Sequence, residues 1–236
     1  MINISIAGLN ITLKNRYSFV ERIAKDYIND FEAAHFSVEA TDTEIAEERD
    51  KSDYSFDNGY LESIVLYRNI AERLPEYDAF VFHGAVIACE GRAYAVTARS
   101  GVGKTTHLRL WLREFGDSVH ILNGDKPILR VIDGKVYACA TPWRGKEGYG
   151  VNEMLPLCGI AFLERSDTNS ASLVSASEGL VRFASQIYIP KDPRTAPLAL
   201  ACANKILSRV PLHTIRANME PEAARVARAA FCSTLI

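Results

Sequence analysis

The chain has no Cys-x-x-Cys pair, no apolar run of eighteen residues, no internal repeat and almost no net charge, and each absence removes a class of protein. Its five cysteines (Cys89, Cys139, Cys158, Cys202 and Cys232) are odd in number and widely spaced. Neither a disulfide framework nor a zinc site is expected, and they read as small buried hydrophobes in a reducing compartment. Without a long apolar run there is no transmembrane helix to expect. The first fifteen residues, MINISIAGLNITLKN, carry no basic start, apolar core or small-residue cleavage site, so a cytoplasmic protein is expected. The lack of periodicity excludes a solenoid. With 27 basic and 29 acidic side chains the net charge is −2. No cluster combines basic with aromatic residues, so neither a nucleic-acid surface nor a membrane surface is expected.

What remains is an ordinary globular composition, 48% apolar and 24% charged, over 236 residues, enough for one large domain or a domain with a small lobe. The charge is unevenly spread. Residues 1–80 hold 16 acidic and 8 basic side chains, whereas 81–236 hold 13 and 19. The alternating stretch 2–13 predicts one or two strands. Ser18 with Glu21 has the spacing of a capping box, followed by apolar residues at Phe19, Ile23, Tyr27 and Phe31, which predicts an amphipathic helix. The acidic stretch 41–58 reads as a solvated loop with a short helix. Leu61, Ile64, Leu66, Ile70 and Leu74 predict a second helix, ended by Pro75. A boundary near residue 77 divides an N-terminal α+β lobe (1–76), expected to pack closely, from the main domain (77–236).

Beyond it, AFVF and AVIAC read as strands. Glu90-Gly91 and Asp133-Gly134 read as hairpin turns, and a helix is expected over 103–115, stopped by Gly116. Strands are predicted at 119–122, 157–163 and 212–217, and helices over 177–188 and 194–208, with a last helix starting near Pro221. The mixture of hairpins with strand–helix alternation predicts an α/β fold with a mixed sheet.

The most informative segment is Tyr94-Ala-Val-Thr-Ala-Arg-Ser-Gly-Val-Gly-Lys-Thr-Thr106, a strand, a glycine-rich turn and a helix start. Ser100, Gly101, Val102, Gly103, Lys104 and Thr105 match the C-terminal part of a Walker A loop, and Thr106 follows them. Glycines allow successive N–H groups to converge on phosphate oxygens, the helix adds its positive end, Lys104 can neutralise β/γ-phosphate charge and the Thr105 hydroxyl can bind Mg²⁺. The first glycine of the pattern is replaced by Ala98. The remaining Gly-x-Gly-Lys-Ser/Thr arises by chance in about one chain of this length per hundred. A nucleotide site is therefore expected.

This loop, preceded by His83-Gly84 across a hairpin, resembles the kinase domain of HPr kinase/phosphorylase, a family sharing its fold with ATP-dependent phosphoenolpyruvate carboxykinase. The wider pattern FHGAVIACEGRAYAVTARSGVGKTTHLRLW, ILNGDKPILR and TPWRGKEGYGVNEMLPLCGIAFLE is similar to a group of bacterial, chiefly Firmicute, HPr-kinase-like proteins. The resemblance implies a phosphoenolpyruvate carboxykinase-like P-loop fold and a kinase using ATP and Mg²⁺. It also implies that His83 lies near the active site, against the reading of a core histidine.

Asn123-Gly124-Asp125 falls where the kinases carry two adjacent aspartates. Asp125 then takes the metal-binding position, Gly124 replaces the general base, and Gly124→Asp would restore the pair. In the loop 143–147, Arg144 and Lys146 are candidates to stabilise the transferred phosphoryl group and Glu147 to act as base or metal ligand; solvated surface charge is the competing reading. Lys126 and Arg99 are lesser candidates, while His107 and Arg109 are expected at the surface or in packing. The expected function is transfer of the γ-phosphoryl group to a hydroxyl of a peptide, protein or small molecule. The alternative is a nucleotide-binding regulatory or assembly protein that has lost transfer, and self-association is left open.

Overall fold

The computed structural model describes residues 1–51 and 54–234. The chain begins with an antiparallel hairpin, β1 (Ile2–Ile6) and β2 (Leu9–Lys14), to which β3 (Phe36–Glu39) adds in parallel. Between β2 and β3 lies α1 (Ser18–Ile23). It is shorter than the spacing of Phe19, Ile23, Tyr27 and Phe31 predicts. The chain passes into a 3-10 turn at Lys25–Tyr27, and the buried stripe is Val20, Ala24 and Tyr27. The Ser18–Glu21 capping box does not form: Tyr17 is the cap residue and has no side-chain cap bond. Glu21 accepts from Asn15 Nδ2 instead, and the N–H groups of Arg16 and Tyr17 donate to the buried Glu62 carboxylate.

A capping box does form between Thr41 and Glu44, opening α2 (Asp42–Arg49) within the acidic stretch. Glu48 on that helix pairs with Lys51 and Arg68. Ser52 and Asp53 of the same stretch lie outside the described residues. The predicted second helix is α3 (Asn58–Arg73), followed by a 3-10 turn with Pro75 in it.

The main sheet has nine strands: β4 (Ala79–Val81), β5 (Ala85–Cys89), β6 (Arg92–Thr97), β7 (Val119–Asn123), β8 (Ile128–Ile132), β9 (Lys135–Cys139), β10 (Met154–Arg165), β11 (Ser170–Val174) and β12 (Leu212–Ala217). It is mixed, as expected. Antiparallel hairpins β5/β6 and β8/β9 flank a parallel centre in which β10 lies beside β6 and β12. The twelve-residue β10 holds the two halves together, pairing β9 at Met154–Pro156 before a register shift near Leu157–Gly159 moves it onto β6. β3, β11 and the first residues of β10 are not anticipated by the sequence. β3 is only four residues long, and the residues of β11 other than Val174 are exposed on an edge, so neither shows the apolar run of a central strand.

Both faces of the central strands are covered, and the sequence alternation shows how. Val86 and Ala88, Ala93 and Ala95, Ile160 and Phe162 point into one buried cluster with residues of α3 and β1–β2 and of the later helix α6 (Ala196–Leu207). Ala85 and Ile87, Tyr94 and Val96, Ala161 and Leu163 point into a second, against α4 (Lys104–Phe115) and α7 (Glu222–Ser233). Such doubly buried strands read as continuous apolar runs rather than alternating ones. α5 (Ala176–Ala184) contributes Phe183, which stacks on Phe82. The first cluster is continuous from Ile4 to Leu212, so the N-terminal sheet and helices pack on the rest of the chain without a gap. No helix among the described residues is long and apolar enough to cross a membrane.

Candidate active site

The glycine-rich segment sits at the carboxyl end of β6, where β10 and β12, both parallel to it, also end. Ligands of α/β sheets bind outside such strand ends. Gly101 and Gly103 have φ of +79° and +119°, conformations that a side chain would strain, and open space surrounds both. Ala98, which departs from the Walker pattern, is buried and does not have a positive φ, so its methyl group costs the loop no backbone strain. Within the loop the Val102 N–H bonds to the Arg99 carbonyl. Gly103 caps α4 without a side-chain bond, and the first helical bond runs from His107 N–H to Gly103 O at 2.9 Å. The N–H groups of Lys104, Thr105 and Thr106 are thus left at the positive end of a twelve-residue helix.

Arg165, at the end of β10, was not a sequence candidate. Its guanidinium donates to the carbonyls of Gly101 and Val102, which satisfies two acceptors of the loop. Its only sequence signal is a cation at the end of a predicted strand.

Lys104 is half-buried and has no hydrogen-bond or ion-pair partner among the described residues. Burial holds its pKa below the ordinary value, opposed by the Asp125 carboxylate. Asp125 reaches this position through the Asn123 turn. Asn123 is fully buried; its Oδ1 accepts from the N–H groups of Asp125 and Lys126, both at 2.9 Å, and its Nδ2 donates to Thr141. This Asx turn is legible in an Asn-Gly-Asp segment as turn chemistry, but its buried partner Thr141 is not. Gly84 N–H donates to the Asp125 carbonyl, which draws His83 alongside, with Nε2 3.9 Å from Asp125 Oδ1. His83 is half-exposed rather than a core residue. Burial first, and then Lys104, lower its pKa, which favours the neutral ring, while Asp125 opposes them. Lys104, His83 and Asp125 therefore form one electrostatically connected group, while Thr105 lies beside Lys104 at the start of α4.

Gly124, which the kinase resemblance sets in place of the general base, is packed against the loop 141–150. A Cβ there would lie 3.1 Å from the Arg144 carbonyl and 3.3 Å from Tyr149 Cβ. The loop 141–150 closes over it, with Gly124 N–H donating to Tyr149 O. Within that loop Trp143 stacks on Tyr67 of α3 at 4.0 Å. Arg144 turns to the N-terminal elements, where Nη2 is 3.1 Å from Asp26 and the guanidinium lies over the Tyr27 ring. Glu147 is bound by Arg109 at 2.8 Å, and Lys146 is exposed without a partner among the described residues. The structure thus brings His83, Lys104 and Asp125 together, with Ser100–Thr106 around them, and engages Arg144 and Glu147 elsewhere. His107, expected at the surface or in packing, is buried and accepts from Trp111 Nε1.

Two clefts border the loop and a third lies beside His83. One of about 950 Å³ runs along Thr97–Val102 to Ser185 and Gln186. A second, of about 660 Å³, lies at the strand ends between Gly103, Arg165 and Asn218. The third, of about 360 Å³, opens beside His83.

No family model matches the chain, and no curated protein matches it. Among solved structures it is similar to the HPr(Ser) kinase/phosphatase from Coxiella burnetii, at 10% identity, over 65% of this chain and 97% of that chain, with a TM-score of 0.40. A likeness of that extent assigns no role to any residue.

Proposed function

We propose that the chain binds MgATP across Ser100–Thr106 and transfers the γ-phosphoryl group to a hydroxyl of a peptide, protein or small molecule, on a phosphoenolpyruvate carboxykinase-like P-loop fold. One observation carries this reading. Lys104 is a half-buried ammonium that no side chain hydrogen-bonds or ion-pairs among the described residues, with Asp125 acting on it only through space, set beside the unpaired N–H groups of a helix start. Such an arrangement favours an anion in place.

The oxygens around it suit Mg²⁺. No group of three or more His, Cys, Asp or Glu among the described residues makes a metal site by itself. The Thr105 hydroxyl and the Asp125 carboxylate are hard oxygen donors with no hydrogen-bond donor on them. Mg²⁺ takes one or two such protein ligands, with water and substrate phosphates completing its shell. When bound there it supplies positive charge to the β- and γ-phosphates.

The chain's own residues do the rest. The loop N–H groups hold the phosphates in line, and Lys104 balances charge as it moves to the leaving diphosphate. The acceptor oxygen forms a bond to the γ-phosphorus while the bond from that phosphorus to the bridging oxygen breaks, its electron pair leaving with ADP. The hydroxyl proton passes to Nε2 of His83, whose neutral form burial favours and which lies beside Asp125. Glu147 is held by Arg109 and is not needed for this step.

The crowding at Gly124 favours the second reading, a nucleotide-binding regulatory or assembly protein without transfer, because a second carboxylate there would press on the Arg144 carbonyl and Tyr149. Two measurements decide. MgATP should raise the melting temperature, a stabilisation of roughly 2.7 kcal/mol at a hundredfold excess over Kd, and Lys104→Ala should remove most of that shift. An unchanged shift in the variant refutes the phosphate site. Label from γ-³²P-ATP appearing on a defined acceptor separates the kinase from the regulator.

A further inference from the structure

We propose that the cavity beside His83, between α3 and residues 185–188, is the acceptor pocket and that it takes a small organic anion carrying a hydroxyl group, a hydroxy-carboxylate. This rests on the phosphotransfer reading above. The cavity joins the two parts that a transfer needs. It shares His83 and Lys126 with the Asp125 turn, and Ser185 and Gln186 with the cleft that runs along the phosphate loop. A hydroxyl placed there lies between the imidazole and the path of the phosphates.

Its walls define the ligand. Ile64 and Ala71 of α3, Val81 of β4 and Ile187 make an apolar lining. The two tyrosines are already committed: Tyr67 donates to the Lys126 carbonyl at 2.7 Å and Tyr188 to Glu72 at 2.6 Å. Gln186 bonds with Thr97 and Ser185. Of the charged lining residues, Arg68 is held by Glu48, and no acidic side chain lines the cavity. Of the two cationic side chains that line it, Lys126 is the one without a side-chain partner among the described residues, and His83 adds an imidazole 3.9 Å from Asp125.

A cation on the rim of an apolar cavity, paired with no side chain, matches a ligand with one anionic group and a short carbon body. The volume of about 360 Å³ is at the small end for ligand pockets, which suits a molecule of a few carbons. The geometry also gives the N-terminal elements a part in the site, since α3 builds one wall.

The test uses the full chain with ¹³C-labelled isoleucine methyl groups, titrated with lactate, glycerate and 3-hydroxybutyrate, and with propane-1,2-diol as the uncharged control. Saturable shifts are expected at Ile64 and Ile187, with the diol at least about tenfold weaker. Lys126→Gln should weaken the acids about tenfold, and Ala71→Leu, which fills the cavity, should remove their effect while the MgATP-induced melting shift stays. If Ala71→Leu does not fold, the exposed Lys126 variant carries the test alone. No shift at either methyl with any of the acids, equal affinity for the diol, or unchanged affinity in Lys126→Gln overturns the proposal. Loss of the MgATP response in the unmodified protein would instead sink the phosphotransfer reading, whatever the acids do.

Discussion

His107 lies one turn into the helix that begins at the glycine-rich loop, and its surroundings make the protein's stability depend on pH in a calculable way. The ring is 2% exposed, and its Nε2 accepts the Trp111 indole N–H at 3.0 Å. That nitrogen must therefore carry a lone pair, and the single ring proton sits on Nδ1, which is buried without a partner. Protonation would destroy the indole bond and leave a charge in an apolar core. Burial accordingly pushes the pKa from 6.5 to about 4.

The sign follows from where each state takes up its proton. Above pH 6.5 the ring is neutral in both states and contributes nothing to the pH dependence. As pH falls below 6.5 the unfolded chain binds a proton that the folded chain refuses until about pH 4. Stability is lost across that window, roughly 3 kcal/mol in all and about 2 kcal/mol by pH 5. Urea unfolding at pH 7.5 and pH 5, on the natural protein and on His107→Gln, isolates the effect. The glutamine oxygen can accept the indole N–H but cannot titrate. The pH-induced loss should be about 2 kcal/mol greater in the natural protein, with the same m value in both. An equal loss in the two proteins refutes the assignment of a buried neutral imidazole.

Other consequences concern the site itself. Asn123→Ala leaves two N–H groups of the Asp125 turn without their acceptor and should lower stability by about 2–4 kcal/mol, read as a shift in the urea midpoint. Gly145→Ala puts a methyl carbon 2.8 Å from Asp125 Cβ at a φ of +74°. It should reduce label transfer to an acceptor by more than it reduces MgATP affinity, and equal losses would show that Asp125 acts on binding alone. Gly124→Asp, which the kinase resemblance implies would restore a catalytic pair, should instead destabilise by about 1–3 kcal/mol, because its Cβ meets the Arg144 carbonyl and Tyr149. A higher melting temperature together with faster transfer would refute that.

The sequence alone determined the parts whose signals are local. The Gly101–Thr106 segment needs only its own glycines and the following helix. Glu90-Gly91 and Asp133-Gly134 form turns with both residues at positive φ, as two-residue hairpins require. The apolar runs of β5, β6 and β10 announced strands covered on both sides. Only the tertiary structure decided what depends on distant partners. The Ser18–Glu21 spacing lost to the buried Glu62 carboxylate, which takes the N–H groups of Arg16 and Tyr17 from 45 residues away or more.

The loop 141–150 carried three charged candidates in sequence, Arg144, Lys146 and Glu147. Folding gave Arg144 to Asp26 and Glu147 to Arg109, and it stacked Trp143 on α3. Arg165 reached the glycine-rich loop because β10 runs parallel to β6, a pairing that no local pattern encodes. A backbone turn is decided by a few adjacent dihedral angles, whereas the partner of a charged side chain is decided by whichever element the packed core brings within hydrogen-bond reach.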